Sequence, residues 1–159
     1  MRSTRHTKHL PTKEVFFQPM MSSQNGWNGL GNFAGITIDA DGEYAYINSY
    51  IPHDFSALEK IALVMIARAT LNPMYMRVFT NYCKNGEAYF EHNDQSLLHA
   101  SLNTVLDRTQ ELDISGAVDI RAIEADDYLG IQVSRQAAQA PVHNTNAIIT
   151  GVRIKYKYR

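Results

Sequence analysis

The chain of 159 residues and 18.0 kDa is 45% apolar and 19% charged, with one cysteine and a formal charge of −1. That length gives one domain, able to bury roughly two-thirds of the surface its unfolded form exposes. The lone Cys83 excludes an internal disulfide and a cysteine zinc site. No apolar run is long enough for a membrane helix, and the basic start lacks the apolar stretch of a secretory signal.

The small net charge conceals a segregation. Residues 1–13 carry Arg2, Arg5, Lys8 and Lys13 and no acid; residues 153–159 carry Arg153, Lys155, Lys157 and Arg159 and no acid. Of 15 cations, seven are left to face all 16 acids in 14–152, so a body of charge −9 lies between two ends of +4. A basic end of this kind is an interaction tail for nucleic acid or an acidic protein surface, or simply a solvated terminus.

In chain order, residues 1–35 lack periodicity and are punctuated by Pro11, Pro19, Gly26, Gly29, Gly31 and Gly35. We read 1–24 as an extended basic arm and 25–35 as a Gly/Asn-rich junction, with the domain at 36–159. Phe16, Phe17, Met20, Met21 and Trp27 are costly to expose on an arm. They are therefore candidate anchors, either on the domain itself or on a neighbouring subunit, with Arg2, Arg5 and Lys8 steering.

From Ile36 the period becomes two. Residues 36–38 form a short strand, 39–42 a turn closed by Asp41-Gly42, and 44–51 a strand on which Tyr44, Tyr46 and Asn48 alternate with Ala45, Ile47 and Ser49. Residues 54–58 read as one helical turn capped by Asp54. The apolar run over 60–70 suits a buried strand or a helix, and its strand-like neighbours favour the strand. Further strands are expected at 74–82, 87–91, 104–114, 128–135 and 147–158. Residues 92–101 read as a loop or one short helix, 117–124 as a further short apolar piece, and 136–145 as a polar loop. About eight strands without long helical patterns predict an all-β, antiparallel two-sheet sandwich of jelly-roll type with an extended N-terminal arm.

Four blocks carry a resemblance. They are Tyr50-Ile51-Pro52-His53-Asp54-Phe55-Ser56-Ala57-Leu58; Asn85-Gly86-Glu87-Ala88-Tyr89 with Glu91-His92; Ala125-Asp126-Asp127-Tyr128-Leu129-Gly130-Ile131; and Gly151-Val152-Arg153-Ile154-Lys155-Tyr156. In this order they resemble small β-sandwich proteins of phage and environmental viral genomes, presumed virion components, over roughly residues 36–158. The resemblance implies a capsid, cement or tail role in a virion assembled in the host cytoplasm. It brings no catalytic residues.

Candidate chemistry is sparse. His92, Asp94 and His99 with Glu91 contain metal-ligand types, but no helical or hairpin spacing fixes them together. Glu124, Asp126 and Asp127, and likewise Asp39 and Asp41, read as turns more than as calcium loops. His53-Asp54 reads as turn chemistry. No serine has a nucleophile-elbow context, Cys83 reads as a small core residue, and the glycines at 26, 29 and 31 do not form a phosphate cradle. No catalytic, cofactor or metal site is expected, and an enzyme is the least supported class. On a strand, the cations at 153, 155, 157 and 159 share one face. They could there bind phosphates, guard an edge against pairing, or receive an acidic neighbour.

These observations lead to a structural assembly protein whose arm docks on neighbouring subunits, with its own copies or other virion proteins as partners. The alternatives are a carbohydrate- or protein-binding sandwich module that uses exposed tyrosines, and a capsid protein whose arm meets nucleic acid. No membrane partner is expected.

Overall fold

The computed structural model describes residues 10–22, 27–40, 42–74, 76–96, 102–118, 122–135 and 146–159. The chain is an all-β, antiparallel two-sheet sandwich of jelly-roll type.

The first sheet is built on the long strands β6 (Phe55–Ala67) and β13 (Ala147–Tyr158), paired along nearly their whole length. β11 (Thr109–Asp113) borders β6, and the hairpin of β3 (Trp27–Leu30) and β4 (Phe33–Ile38) borders the first part of β13. The second part of β13 is bordered by β1 (Thr12–Phe17), in register from Thr12 opposite Lys157 to Phe17 opposite Val152. Two flanking strands thus lie end to end along one side of β13.

The second sheet runs in the order β2 (Met21–Ser22), β5 (Tyr44–Tyr50), β12 (Tyr128–Arg135), β8 (Met76–Cys83) and β9 (His92–Ser96). A small ribbon pairs β7 (Leu71–Met74) with β10 (Leu102–Thr104). Successive strands switch between the sheets, from β4 to β5 to β6 and from β11 to β12 to β13, which is the jelly-roll habit.

Period-two alternation explains the core. From the second sheet, Ile47, Val78, Leu129, Ile131 and Val133 point inward; from the first, Ile36, Ile61, Leu63, Met65, Ile149 and Ile154 meet them. Each such side chain contributes about 1.5–3 kcal/mol on burial. Thr80 enters the core with its hydroxyl satisfied. The Thr80 hydroxyl donates to the Ala117 carbonyl at 2.7 Å, from the short 3-10 turn Ser115–Ala117.

Several expectations need correction. The helical turn at 54–58 is the start of β6: a tight turn in which the Phe55 N–H donates to the Pro52 carbonyl leads straight into the strand. Asp54 does not cap a helix, because its carboxylate receives Lys13 Nζ and the Tyr156 hydroxyl. The strand expected over 104–114 is two pieces, broken by a turn at Leu106-Asp107. In the stretch 92–101, residues 92–96 are extended as β9, not a loop or helix. Cys83 is half-buried on an outer face, not in the core.

The stretch read as arm and junction contains β1, β2, β3 and the first half of β4. Its described part straps one edge of the sandwich. β1 joins the first sheet, residues 18–20 cross over, and the Met20 N–H donates to the Tyr46 carbonyl at 2.8 Å as β2 joins the second. Arg2, Arg5 and Lys8 lie outside the described residues.

Candidate functional site, the outer face of the second sheet

Side chains on this face follow from register. Asn48 on β5, Gly130 on β12 and Asn81 on β8 lie opposite one another in one row. Next to it runs the row Tyr50, Tyr128 and Cys83; on the other side runs Tyr46, Gln132 and Phe79, and beyond that Tyr44, Ser134 and Arg77. The face is therefore aromatic and amide-rich, while the alternate positions of the same strands build the core.

Gly130 has no local reason to be glycine. It does not carry the positive φ found at Gly31, Gly42, Gly86 and Gly151. A β-carbon there would meet only ordinary contacts, 3.7 Å from the Asn81 carbonyl and 3.9 Å from Asn48 Oδ1. Glycine within a strand costs stability, and it marks places where something else approaches the backbone. Above it lies a hollow of about 400 Å³, whose lining includes Asn48, Asn81, Cys83, Tyr89, Tyr128 and Gly130.

One wall is Tyr128, against which the ring of Tyr50 packs in a tilted pair with centroids 5.5 Å apart. This wall is braced. The Tyr50 hydroxyl donates to Asp126 Oδ1, and His53 Nδ1 lies 2.8 Å from Asp126 Oδ2. These hydrogen bonds hold the Asp126 carboxyl below the usual carboxylate range, and the bond to Asp126 lifts His53 above its ordinary 6.5. Asp126 sits at φ +69°, a conformation aspartate tolerates.

Residues 87–91 are not the expected strand but a tight loop, from which Tyr89 overhangs the hollow. That loop is held by Glu87, whose N–H donates to the Lys84 carbonyl and whose carboxylate accepts the Lys84 N–H at 2.8 Å, and by the ion pair of Lys84 with Glu124. Tyr89 is 74% exposed and stacks edge-on against Phe90. A rigid loop that holds an aromatic ring in solvent presents a contact surface.

The other sequence candidates fall elsewhere. Phe16 is 49% exposed on β1, while Phe17 packs against the core. Met20 is 62% exposed on the strap. Residues Phe16 to Met20 edge a second, wider hollow of about 610 Å³ that also touches Asn48. The backbones of Met21 and Trp27 pair with Tyr46 and Ile36, and their side chains lie outside the described residues.

The acids near 124–127 diverge. Glu124 takes Lys84, Asp126 takes Tyr50 and His53, and Asp127 Oδ2 accepts the Glu124 N–H at 2.7 Å. Among the described residues no three His, Cys, Asp or Glu side chains are placed to hold a metal ion. Asp41 and His99 lie outside the described residues, as do the side chains of His92 and Asp94. Among the described residues no helix is long and apolar enough to cross a membrane.

The C-terminal cations do share a face, but β13 is a central strand, so they guard no edge. Their partners are in the same sheet. Arg153 reaches Glu111 at 2.9 and 2.5 Å and Glu14 at 2.7 Å, and Lys155 and Lys157 flank Glu59 at 3.4 and 3.9 Å. Both carboxylates raise the Arg153 pKa, with Glu111 the larger cause.

Sequence reading found the β5 alternation and the number of tyrosines. It missed Gly130, Asn81 and Tyr89 as neighbours, because only strand order brings β5, β12 and β8 side by side.

No family model matches the chain, and no curated protein matches it. Among solved structures it is similar to a xylan-binding module, CBM15, at 13% identity and a TM-score of 0.50, over 93% of this chain and 97% of that one. It is also similar to the CBM36-1 domain of a multidomain xylanase from the hindgut metagenome of Trinervitermes trinervoides, at 13% identity and TM-score 0.49, over 89% and 96% of the two chains. A chain of infectious bursal disease virus, Gx strain, aligns at 11% identity and TM-score 0.44, over 94% of this chain and 32% of the viral one. The likeness to the xylan-binding module is one of fold, the two-sheet β-sandwich.

Proposed function

We propose that the chain is a binding module that holds a carbohydrate on the outer face of its second sheet. The observation that carries this reading is the hollow over Gly130, floored by two amides and walled by tyrosines. A pyranose ring has an apolar C–H face and a rim of hydroxyls that both donate and accept. Tyrosine rings suit the first; asparagine, which offers two donors and an acceptor, suits the second. Its volume falls in the range of small-molecule sites. Xylo-oligosaccharides are the first ligands to try, because a module of this fold binds xylan.

The test is calorimetric titration of the wild type and Gly130→Leu with xylohexaose and cellohexaose. Binding by the wild type, with loss of about tenfold or more in the variant at unchanged melting temperature, supports the reading. Absence of binding, or equal binding by a folded Gly130→Leu protein, overturns it.

A second reading, a virion structural subunit, is favoured by the resemblance over 36–158 and by the exposure of Phe16 and Met20 on the strap. Light scattering separates it from the first: a large nuclease-resistant assembly supports a self-assembling subunit, and a monomer near 18.0 kDa supports the module.

A further inference from the structure

The two hollows on the sandwich share Asn48. On one side of it lie Gly130, Asn81 and Tyr89; on the other lie Pro19 and Met20 of the strap. Because the row of Asn48, Gly130 and Asn81 crosses three strands, this line runs across the sheet and not along it. With the strap added on one side, the line covers three strand spacings, about 15 Å in all.

We infer that the two hollows form one groove, open at both ends, that takes the interior of an unbranched neutral glycan chain. In this groove the N-terminal strap supplies the outer subsite. This inference rests on the carbohydrate reading and adds to it the class of chain and a part for residues 19–20. Three observations support it.

First, the exposed Asn48 lines both hollows, so the two meet at this residue. Second, the described floor residues carry amides and no carboxylate or cation. Charged groups beside the tyrosines are engaged locally, Asp126 with His53 and Tyr50 and Lys84 with Glu124. A neutral chain is therefore favoured over an acidic one. Third, Met20 is held outward by a fixed backbone, since its N–H is bonded to Tyr46 and Pro19 before it is buried. An exposed, polarisable thioether beside a polar floor is a contact for the C–H face of a further sugar.

The test measures affinity by calorimetry for xylobiose, xylotetraose and xylohexaose, and for the matching cello-oligosaccharides, with the wild type, Met20→Ala and Tyr89→Ala. Both substitutions fall on exposed side chains, and melting curves check that the fold is kept. Affinity is expected to rise about tenfold from disaccharide to tetraose and then level off. Met20→Ala should weaken the hexaose several-fold and leave the disaccharide unchanged, while Tyr89→Ala weakens both.

Full affinity already at the disaccharide, or a Met20→Ala protein equal to wild type for every length, overturns the continuous groove and leaves the carbohydrate reading standing. An equal loss for short and long chains in Met20→Ala overturns the separate outer subsite. Binding of no oligosaccharide overturns the carbohydrate reading and the groove with it, so the two failures are distinguishable.

Discussion

The ring of Phe16 occupies the space where Gly151 would carry a side chain: a β-carbon on Gly151 would lie 2.6 Å from Phe16 Cζ and would overlap the Phe17 carbonyl. Gly151 sits at φ +153°, where the β13–β6 register shifts between Ile149 and Gly151. β1 and β13 are therefore fitted to each other, and the start of the described chain is part of the sandwich.

Gly151→Ala should destabilise the protein by about 2 kcal/mol or more, since it combines backbone strain with overpacking against β1. Chemical denaturation measures this. A variant as stable as wild type would mean that β1 does not rest on β13 as described.

Removing residues 1–22 should cost more. The truncation takes β1 and β2 away, strips Val15 and Phe17 from the core, and breaks the contact in which Lys13 binds Asp54 and lies 4.2 Å over the Tyr158 ring. A loss of about 3 kcal/mol or more in unfolding free energy is expected from the two apolar side chains. An unchanged melting curve would show instead that the segment is a detachable arm.

Charge reversal in the first sheet has a salt-dependent signature. Glu111→Lys should lower the melting temperature at low ionic strength, by less than Gly151→Ala does, because it faces Arg153 and Lys60. The deficit should shrink in high salt as exposed charges are screened. A deficit that does not change with salt would argue against an electrostatic origin.

His53 offers a pH test. Its pKa is raised by Asp126, so the contact stabilises fully below the unfolded value and is lost as pH rises through the folded one. Asp126 is lowered, so its share is present above the ordinary value of 3.8 and is lost as pH falls through the folded one. An NMR titration should place the His53 midpoint above 6.5, and Asp126→Asn should return it towards 6.5. An unshifted wild-type midpoint would mean that the brace on Tyr50 lacks its histidine.

Much of this was legible in the sequence. Alternation in 44–50 and 128–135 assigns the inner and outer faces of β5 and β12, and the two-sheet architecture follows from the strand pattern. The run 61–67 breaks alternation because both faces of β6 are buried there, so only its strand-like neighbours identify it. Cis pairing of the basic C-terminus was hidden, because Glu14, Glu59 and Glu111 are distant in sequence and meet β13 only through strand order. Gly130 reads in sequence as an ordinary strand residue, since its meaning depends on the amides opposite it.

The most direct measurement is backbone amide shift mapping by NMR during titration with xylohexaose. The account expects the largest shifts at Asn48, Asn81, Tyr89, Tyr128 and Gly130, extending to Met20, with the first sheet unmoved. Shifts centred on β4, β6 or β11, or no shifts at all, would contradict a carbohydrate site on the second sheet.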